Sequence, residues 1–304
     1  MTYILFGFGL ILLFFGGDSL VRGASAAALR LRVPPLVVGL TVVGFGTSMP
    51  ELLVSLQAAL RGAGDIALGN VVGSNTANIL LILGLSALIG PMAAAFAGLR
   101  RDLGWMLAAA LVCVPVLLDG AVSRIEGLAL LAGIAAYILL ALRQVGSAAA
   151  PEVATLAPWK ATGLMLLGLA ALVAGAHFLV DSATQIARAF GISEAVIGLT
   201  IVAVGTSLPE LATSVAAALK GEREIALGNV IGSNVFNVLA ILGATAAISP
   251  FAAGPRFLAV DVPVMIAVSV LLVAVLWWRG GLGRGAGIGF LALYALYVAA
   301  MGAV

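Results

Sequence analysis

The chain has 304 residues, 63% hydrophobic and only 9% charged, with a formal net charge of +2 and a mean hydropathy of +1.22. Those values exclude an ordinary soluble domain, and so small a charge, without a basic stripe carrying interleaved aromatics, gives no sign of a nucleic-acid partner. Its one cysteine, Cys113, permits no intrachain disulfide and reads as a packing residue in an apolar run.

Apolar runs divided by short segments that hold most of the Arg and Lys predict an all-α integral membrane protein. The ten spans are expected at about 2–29, 34–60, 65–89, 101–118, 124–142, 159–187, 194–219, 224–249, 257–278 and 286–303. Segments this long without two-residue alternation are helices, not barrel strands. The N-terminus lacks the basic segment of a cleavable signal peptide, so the first span is expected to stay in the mature protein. Within that span Asp18 and Arg22 share one helical face near an interface and read as a local ion pair.

Span two begins at Pro34-Pro35, a natural helix start. It contains Gly46-Thr47-Ser48-Met49-Pro50-Glu51 within the apolar run from Leu36 to Leu60. A carboxylate at the centre of such a helix costs roughly 2.5–3.5 kcal/mol, so Glu51 needs a polar partner. Gly44 to Pro50 is expected to interrupt the helix, because glycine is permissive and Pro50 removes a backbone hydrogen bond. Carbonyls freed there, near Gly44, would be costly beside lipid but useful beside a cation. Thr47 and Ser48 fall four and three residues before Glu51, on its side of the helix.

Past a turn at Arg61 to Gly64, Asp65 is expected to cap span three, with Glu224 in the corresponding later place. Span three carries Gly69-Asn70-Val71-Val72-Gly73-Ser74-Asn75-Thr76-Ala77-Asn78. Ser74 and Asn78 are four apart and aimed at one neighbour, Gly69 and Gly73 allow close helix contact, and Asn70 and Asn75 serve either as ligands or as interhelical contacts. Spans four and five show few polar residues and read as scaffold. The linker at 144–158 is short and rich in Ala, Pro and Gly, with no room for a soluble regulatory domain.

The second part repeats the first. Positions 36–91 and 195–250 match at 33 of 56 residues, without a gap, at a constant offset of 159, which identifies an internal duplication. Gly205-Thr206-Ser207-Leu208-Pro209-Glu210 answers the first motif, and Gly228 to Asn237 answers the second, with Ser233 and Asn237 at the places of Ser74 and Asn78. Ala203 takes the place of Gly44. The expected units are residues 1–143 and 159–304, each with five spans; five is odd, so the second must cross the membrane in the opposite sense. With both termini outside, eleven Lys and Arg fall on the cytoplasmic side and four outside, the arrangement that the positive-inside rule favours.

A two-fold axis in the membrane plane would bring Glu51 opposite Glu210. The pooled donors are then two carboxylates, the hydroxyls of Thr47, Ser48, Thr206, Ser207, Ser74 and Ser233, the amides of Asn78 and Asn237, and carbonyls near Gly44 and Ala203. All are oxygens, which suit a hard cation such as Ca²⁺; zinc or copper would want imidazole and thiolate. Two carboxylates balance one divalent ion, and without a cation they cannot both stay ionised cheaply, so Ca²⁺, Na⁺ or protons would compete for them.

The paired GTSxPE and GNVxGSNxxN motifs resemble the two α-repeats of the cation/Ca²⁺ exchanger superfamily, and the chain is similar to its prokaryotic sodium/calcium exchanger branch. The resemblance implies that Glu51 and Glu210 bind Ca²⁺ and Na⁺, that Thr47, Ser48, Thr206 and Ser207 contribute hydroxyl or carbonyl oxygen, and that Ser74, Asn78, Ser233 and Asn237 complete the sites. It also implies alternating access, with the first and sixth helices sliding across the core, three Na⁺ exchanged per Ca²⁺, and no cofactor beyond the transported ions and the surrounding bilayer. Several relatives carry Asp where this chain has Asn237, the pattern of the potassium-dependent branch, so Asn237 argues against K⁺ co-transport.

The rival from the same superfamily is a Ca²⁺/H⁺ antiporter, whose motifs place an acidic residue after a GN pair, unlike those here. A channel would not need an inverted duplication with two broken helices. An intramembrane hydrolase using Ser48 or Ser207 would need a base, and the only histidine, His177, has no counterpart in the first copy.

Overall fold

A computed structural model describes residues 2–32, 35–93, 96–143, 156–190 and 203–302. In chain order the helices are α1 (Thr2–Leu31), α2 (Pro35–Thr47), α3 (Met49–Leu60), α4 (Gly64–Ile89), α5 (Phe96–Val116), α6 (Arg124–Leu142), α7 (Pro158–Ala189), a turn at Ala203–Gly205, α8 (Leu208–Leu219), α9 (Arg223–Ile248), α10 (Phe257–Arg279) and α11 (Arg284–Gly302). Six of these are long and apolar enough to cross a membrane, or seven if α2 and α3 form one bent span, among the described residues. The linker up to residue 155, Pro34 and the 194–202 part of the expected seventh span lie outside the described residues.

Burial sorts the helices into a centre and a flank. In α9 and α4, 94% and 72% of the apolar window is buried, against 33% in α1 and 22% in α7. The central pair carries the duplicated asparagine motifs. On the flank, α1 and α7 run antiparallel, because Gly9 lies against Gly175 and Gly23 against Ala161. Glycine is required at this seam: a Cβ on Gly16 would come within 2.9 Å of the Leu172 nitrogen, and one on Gly168 within 2.7 Å of the Leu20 nitrogen.

Helix α2 contains a π-helical stretch at Gly39–Val43 and ends at Ser48, where the chain bends by 42° into α3. The break is narrower than the sequence suggests. Ser48 alone leaves the helical region, with φ −83 and ψ 6, and Ser207 matches it with φ −87 and ψ 8. Pro50 and Pro209 sit in the first turns of α3 and α8, where a missing N–H costs nothing. The Gly44 carbonyl is correspondingly not free: it accepts from the Ser48 N–H at 3.2 Å and from the Ser233 hydroxyl at 3.3 Å.

The turns after α3 and α8 match as well, each passing through a glycine in the left-handed region, Gly62 at φ +75 and Gly221 at φ +76. Asp65 does not cap α4; Ala63 holds that place, and Asp65 in the first turn accepts the Gly254 N–H at 2.7 Å. Glu222, not Glu224, is at the equivalent cap. Two short antiparallel ladders close the ends of the bundle, Met92–Ala93 on Gly281–Leu282 and Ala121–Val122 on Phe251–Ala252. Helix α6 starts at a reciprocal box in which the Ser123 hydroxyl accepts from the Glu126 N–H at 3.3 Å and Glu126 accepts from the Ser123 N–H at 2.8 Å.

Spans four and five hold a few buried polar side chains. Asp102 in α5 is buried beside Arg101 at 2.9 Å, and Tyr137 of α6 is fully buried. Asp261 of α10 is also buried, 3.4 Å from Arg256. Asp102 and Asp261 differ by 159 positions, and so do Met106 and Met265.

Candidate cation site

The two Ser-centred breaks meet in the interior. The Ser48 hydroxyl donates to Glu210 Oε1 at 2.9 Å, and the Ser207 hydroxyl donates to Glu51 Oε1 at 3.3 Å. Each carboxylate is therefore held by the broken helix of the other half. Ser207 also lies 3.2 Å from the Ser74 hydroxyl, which brings α4 into the same cluster. Glu51, Glu210, Ser48, Ser207, Ser74, Ser233, Asn78, Asn237 and Thr47 are all buried, and Thr206 is half-buried. Ala203 opens the short turn before Thr206; its side chain is outside the description.

A second ring of bonds fastens each break to the neighbouring central helix. Asn70 donates to the Glu51 carbonyl at 3.1 Å and to the Ser55 hydroxyl at 2.9 Å, while its own Oδ1 accepts from Thr206 at 3.2 Å. Asn229 does the same for the other half, donating to the Glu210 carbonyl at 3.2 Å and Ser214 at 2.9 Å and accepting from Thr47 at 3.2 Å. Of the two roles open to Asn70, the bonds support the interhelical one. Asn229, Ser55 and Ser214 are new here, and the 159-residue offset that relates them in pairs is the signal that could have found them.

Asn75 and Asn234 complete a third ring at the centre. Each donates its amide to the backbone carbonyl of the other, at 3.2 and 3.3 Å. Asn78 donates to Asn234 Oδ1 and Asn237 to Asn75 Oδ1, both at 3.0 Å. Met265 and Met106, from α10 and α5, receive the remaining amide hydrogens at 3.6 and 3.9 Å.

After these bonds are counted, a matched set of buried acceptors remains without a donor: Glu51 Oε2, Glu210 Oε2, Asn78 Oδ1 and Asn237 Oδ1. A buried oxygen of this kind is costly unless something positive meets it. The carboxylates meet the hydroxyls of Ser48 and Ser207, and there is no cluster of three or more His, Cys, Asp or Glu among the described residues. The chemistry is that of hard cations held by few charges and many neutral oxygens. Asp18 and His177, by contrast, lie outside the cluster; Asp18 pairs with Arg22 at 2.9 Å and Lys220 at 2.6 Å, and His177 is exposed beside Asp181 at 3.4 Å.

Comparison with known proteins covers nearly the whole chain. The family model described as "Sodium/calcium exchanger protein" matches residues 1–143 and 160–302. A putative antiporter of Alkalimonas amylolytica, CaxA, is 41% identical over 91% of this chain and 90% of its own. The sodium/calcium exchanger MaX1 of Methanosarcina acetivorans is 34% identical over 98% of this chain and 97% of its own. A solved structure of the sodium-calcium exchanger NCX_Mj, soaked with Na⁺ and Sr²⁺, superposes with a TM-score of 0.87 at 36% identity, covering 98% of this chain and 97% of that one. The chain is thus a multi-pass membrane transporter that belongs to the sodium/calcium exchanger family.

Proposed function

We propose that the protein exchanges Na⁺ for Ca²⁺ across the membrane by alternating access, at one site built from Glu51, Glu210, Thr47, Ser48, Thr206, Ser207, Ser74, Ser233, Asn78 and Asn237. The observation that carries this reading is a set of four donorless buried oxygens, two from each half: those of Glu51 and Glu210, where the broken helices cross, and those of Asn78 and Asn237, one helical turn beyond Ser74 and Ser233. Two carboxylates match the charge of one Ca²⁺. Neutral oxygens around them allow the same space to hold several monovalent ions instead, and that competition is the basis of exchange. Backbone carbonyls near Gly44 and Ala203 join the set once the Gly44 carbonyl gives up its present donors.

On this reading the chain forms ten spans as two inverted five-helix repeats. The antiparallel α1–α7 seam and the crossed serine–glutamate bonds support inversion. Both termini lie outside. Cysteine labelling of a Cys113-free chain checks this: an impermeant external reagent should reach a cysteine near Val304 in intact cells, and labelling only after permeabilisation refutes the orientation.

Exchange is electrogenic and independent of K⁺. Three Na⁺ against one Ca²⁺ moves one charge per cycle, and a potential contributes about 2.3 kcal/mol per charge per 100 mV. The experiment is sodium-driven uptake of radioactive calcium into proteoliposomes under a potential imposed with valinomycin. Uptake should follow the sodium gradient, shift several-fold with voltage and, in vesicles without valinomycin, stay unchanged when K⁺ replaces an inert cation on the Ca²⁺ side. Voltage-insensitive uptake driven by a pH gradient without Na⁺ refutes this in favour of proton exchange.

A further inference from the structure

An asparagine at a cation site works only one way round. Rotation by half a turn about its last bond replaces the carbonyl oxygen with an NH₂ group, which repels a cation. Asn78 and Asn237 therefore need something that holds the nitrogen away from the ion, and the bonds of the central helices show what does so. Asn78 gives its NH₂ to Asn234 Oδ1, and Asn237 gives its NH₂ to Asn75 Oδ1, both at 3.0 Å, which leaves the two Oδ1 atoms without a donor.

Asn75 and Asn234 cannot turn to accommodate a flip. The NH₂ of Asn75 is committed to the Asn234 carbonyl at 3.2 Å and the Met265 sulfur at 3.6 Å, and that of Asn234 to the Asn75 carbonyl at 3.3 Å and the Met106 sulfur at 3.9 Å. A carbonyl and a thioether only accept, so each accepts the NH₂ side and rejects the oxygen side. The four residues are 1% to 3% exposed, so water is a poor substitute for a lost partner.

We propose that Asn75 and Asn234 are positioning residues that lock the amide oxygens of Asn78 and Asn237 toward the transported cation, with Met106 and Met265 fixing their own orientation. They touch no ion themselves. Their effect is on which ions bind, because a neutral oxygen held in place serves a cation without adding a negative charge. The proposal rests on the reading of Glu51, Glu210 and the two amides as a cation site.

The test is a mutant cycle read by ion-induced stabilisation of the purified protein in detergent, with Na⁺ and Ca²⁺ titrated separately and each variant checked for monodispersity. Asn75→Leu keeps the branched shape but removes the acceptor, which frees Asn237 to turn, and should raise the half-saturating concentration of at least one of the two ions about tenfold. Asn237→Asp presents oxygen in either orientation. In that background Asn75→Leu removes an acceptor that faces a carboxylate oxygen, so it should not raise the same concentration by more than about twofold. Asn234→Leu with Asn78→Asp gives the same cycle from the other half should Asn75→Leu not fold. An Asn75→Leu protein that binds like wild type, or a loss that Asn237→Asp does not remove, overturns the positioning role. A wild-type protein stabilised by neither ion overturns instead the cation-site reading beneath it.

Discussion

Ser48 reaches across to Glu210 and Ser207 reaches back to Glu51; Asn70 and Asn229 brace the two breaks with the same three bonds; Asn75 and Asn234 exchange amide hydrogens almost symmetrically. The outer helices keep the matching at their glycine seam, where Gly9 and Gly16 stand 159 positions before Gly168 and Gly175, and lose it at the ends. Asp18 of α1 bonds Lys220 beyond α8, while 159 positions later the corresponding residues are His177, and Arg61 stands where Lys220 would. The pair that attracts in one half has a counterpart that cannot. On the exchanger reading the difference is physical. A site that receives an ion from either face needs the same ligands from both halves, whereas contacts at the ends set only the balance between the two access states.

The sharpest way to break the comparison is at the carboxylates. Glu51→Gln and Glu210→Gln should each abolish calcium uptake in proteoliposomes while leaving a monodisperse protein; near-normal uptake by either shows that the halves are not equivalent. Next in size come the serines. A hydrogen bond to a charged group contributes about 1.5–3 kcal/mol, so Ser48→Ala and Ser207→Ala should each weaken calcium affinity by roughly ten- to a hundred-fold, and to a similar extent. A large loss from one with none from the other would confine the site to one half.

The smallest effect belongs to the rim. Asp18→Asn removes a partly exposed pair of the kind that contributes about 0.2–1 kcal/mol. It should leave calcium affinity in detergent unchanged and shift the ratio of sodium half-saturation measured from the two faces of oriented vesicles by up to about fivefold. His177→Asn should shift neither. A loss of calcium affinity in Asp18→Asn would place Asp18 in the site and end the distinction between centre and rim.

Much of the centre was legible because it is written twice. Glu51 and Glu210 stand out as charges in apolar runs, and the serines and asparagines are marked by the same offset. What could not be read was which atom of each side chain is used. Nothing in a sequence says that Asn78 faces Asn234 with its nitrogen, since that bond joins residues 156 positions apart. The expected cap at Asp65 failed because the carboxylate has a stronger use, the Gly254 N–H across the duplication. The Gly44 carbonyl was expected to be free because proline removes a bond, yet Pro50 falls inside the first turn of α3, where no bond was due. Asp102 with Met106, and Asp261 with Met265, repeat at the same offset beyond the well-matched segment; their surroundings have diverged too far for the pattern to be noticed by eye.

Equilibrium calcium binding to the purified chain in detergent, with Na⁺ as competitor, addresses the shared site most directly. One site assembled from both halves should bind a single Ca²⁺ per chain, release it cooperatively as Na⁺ rises, and lose it in both Glu51→Gln and Glu210→Gln. Calcium binding that persists in one of those variants, or that Na⁺ leaves undisturbed, would contradict it.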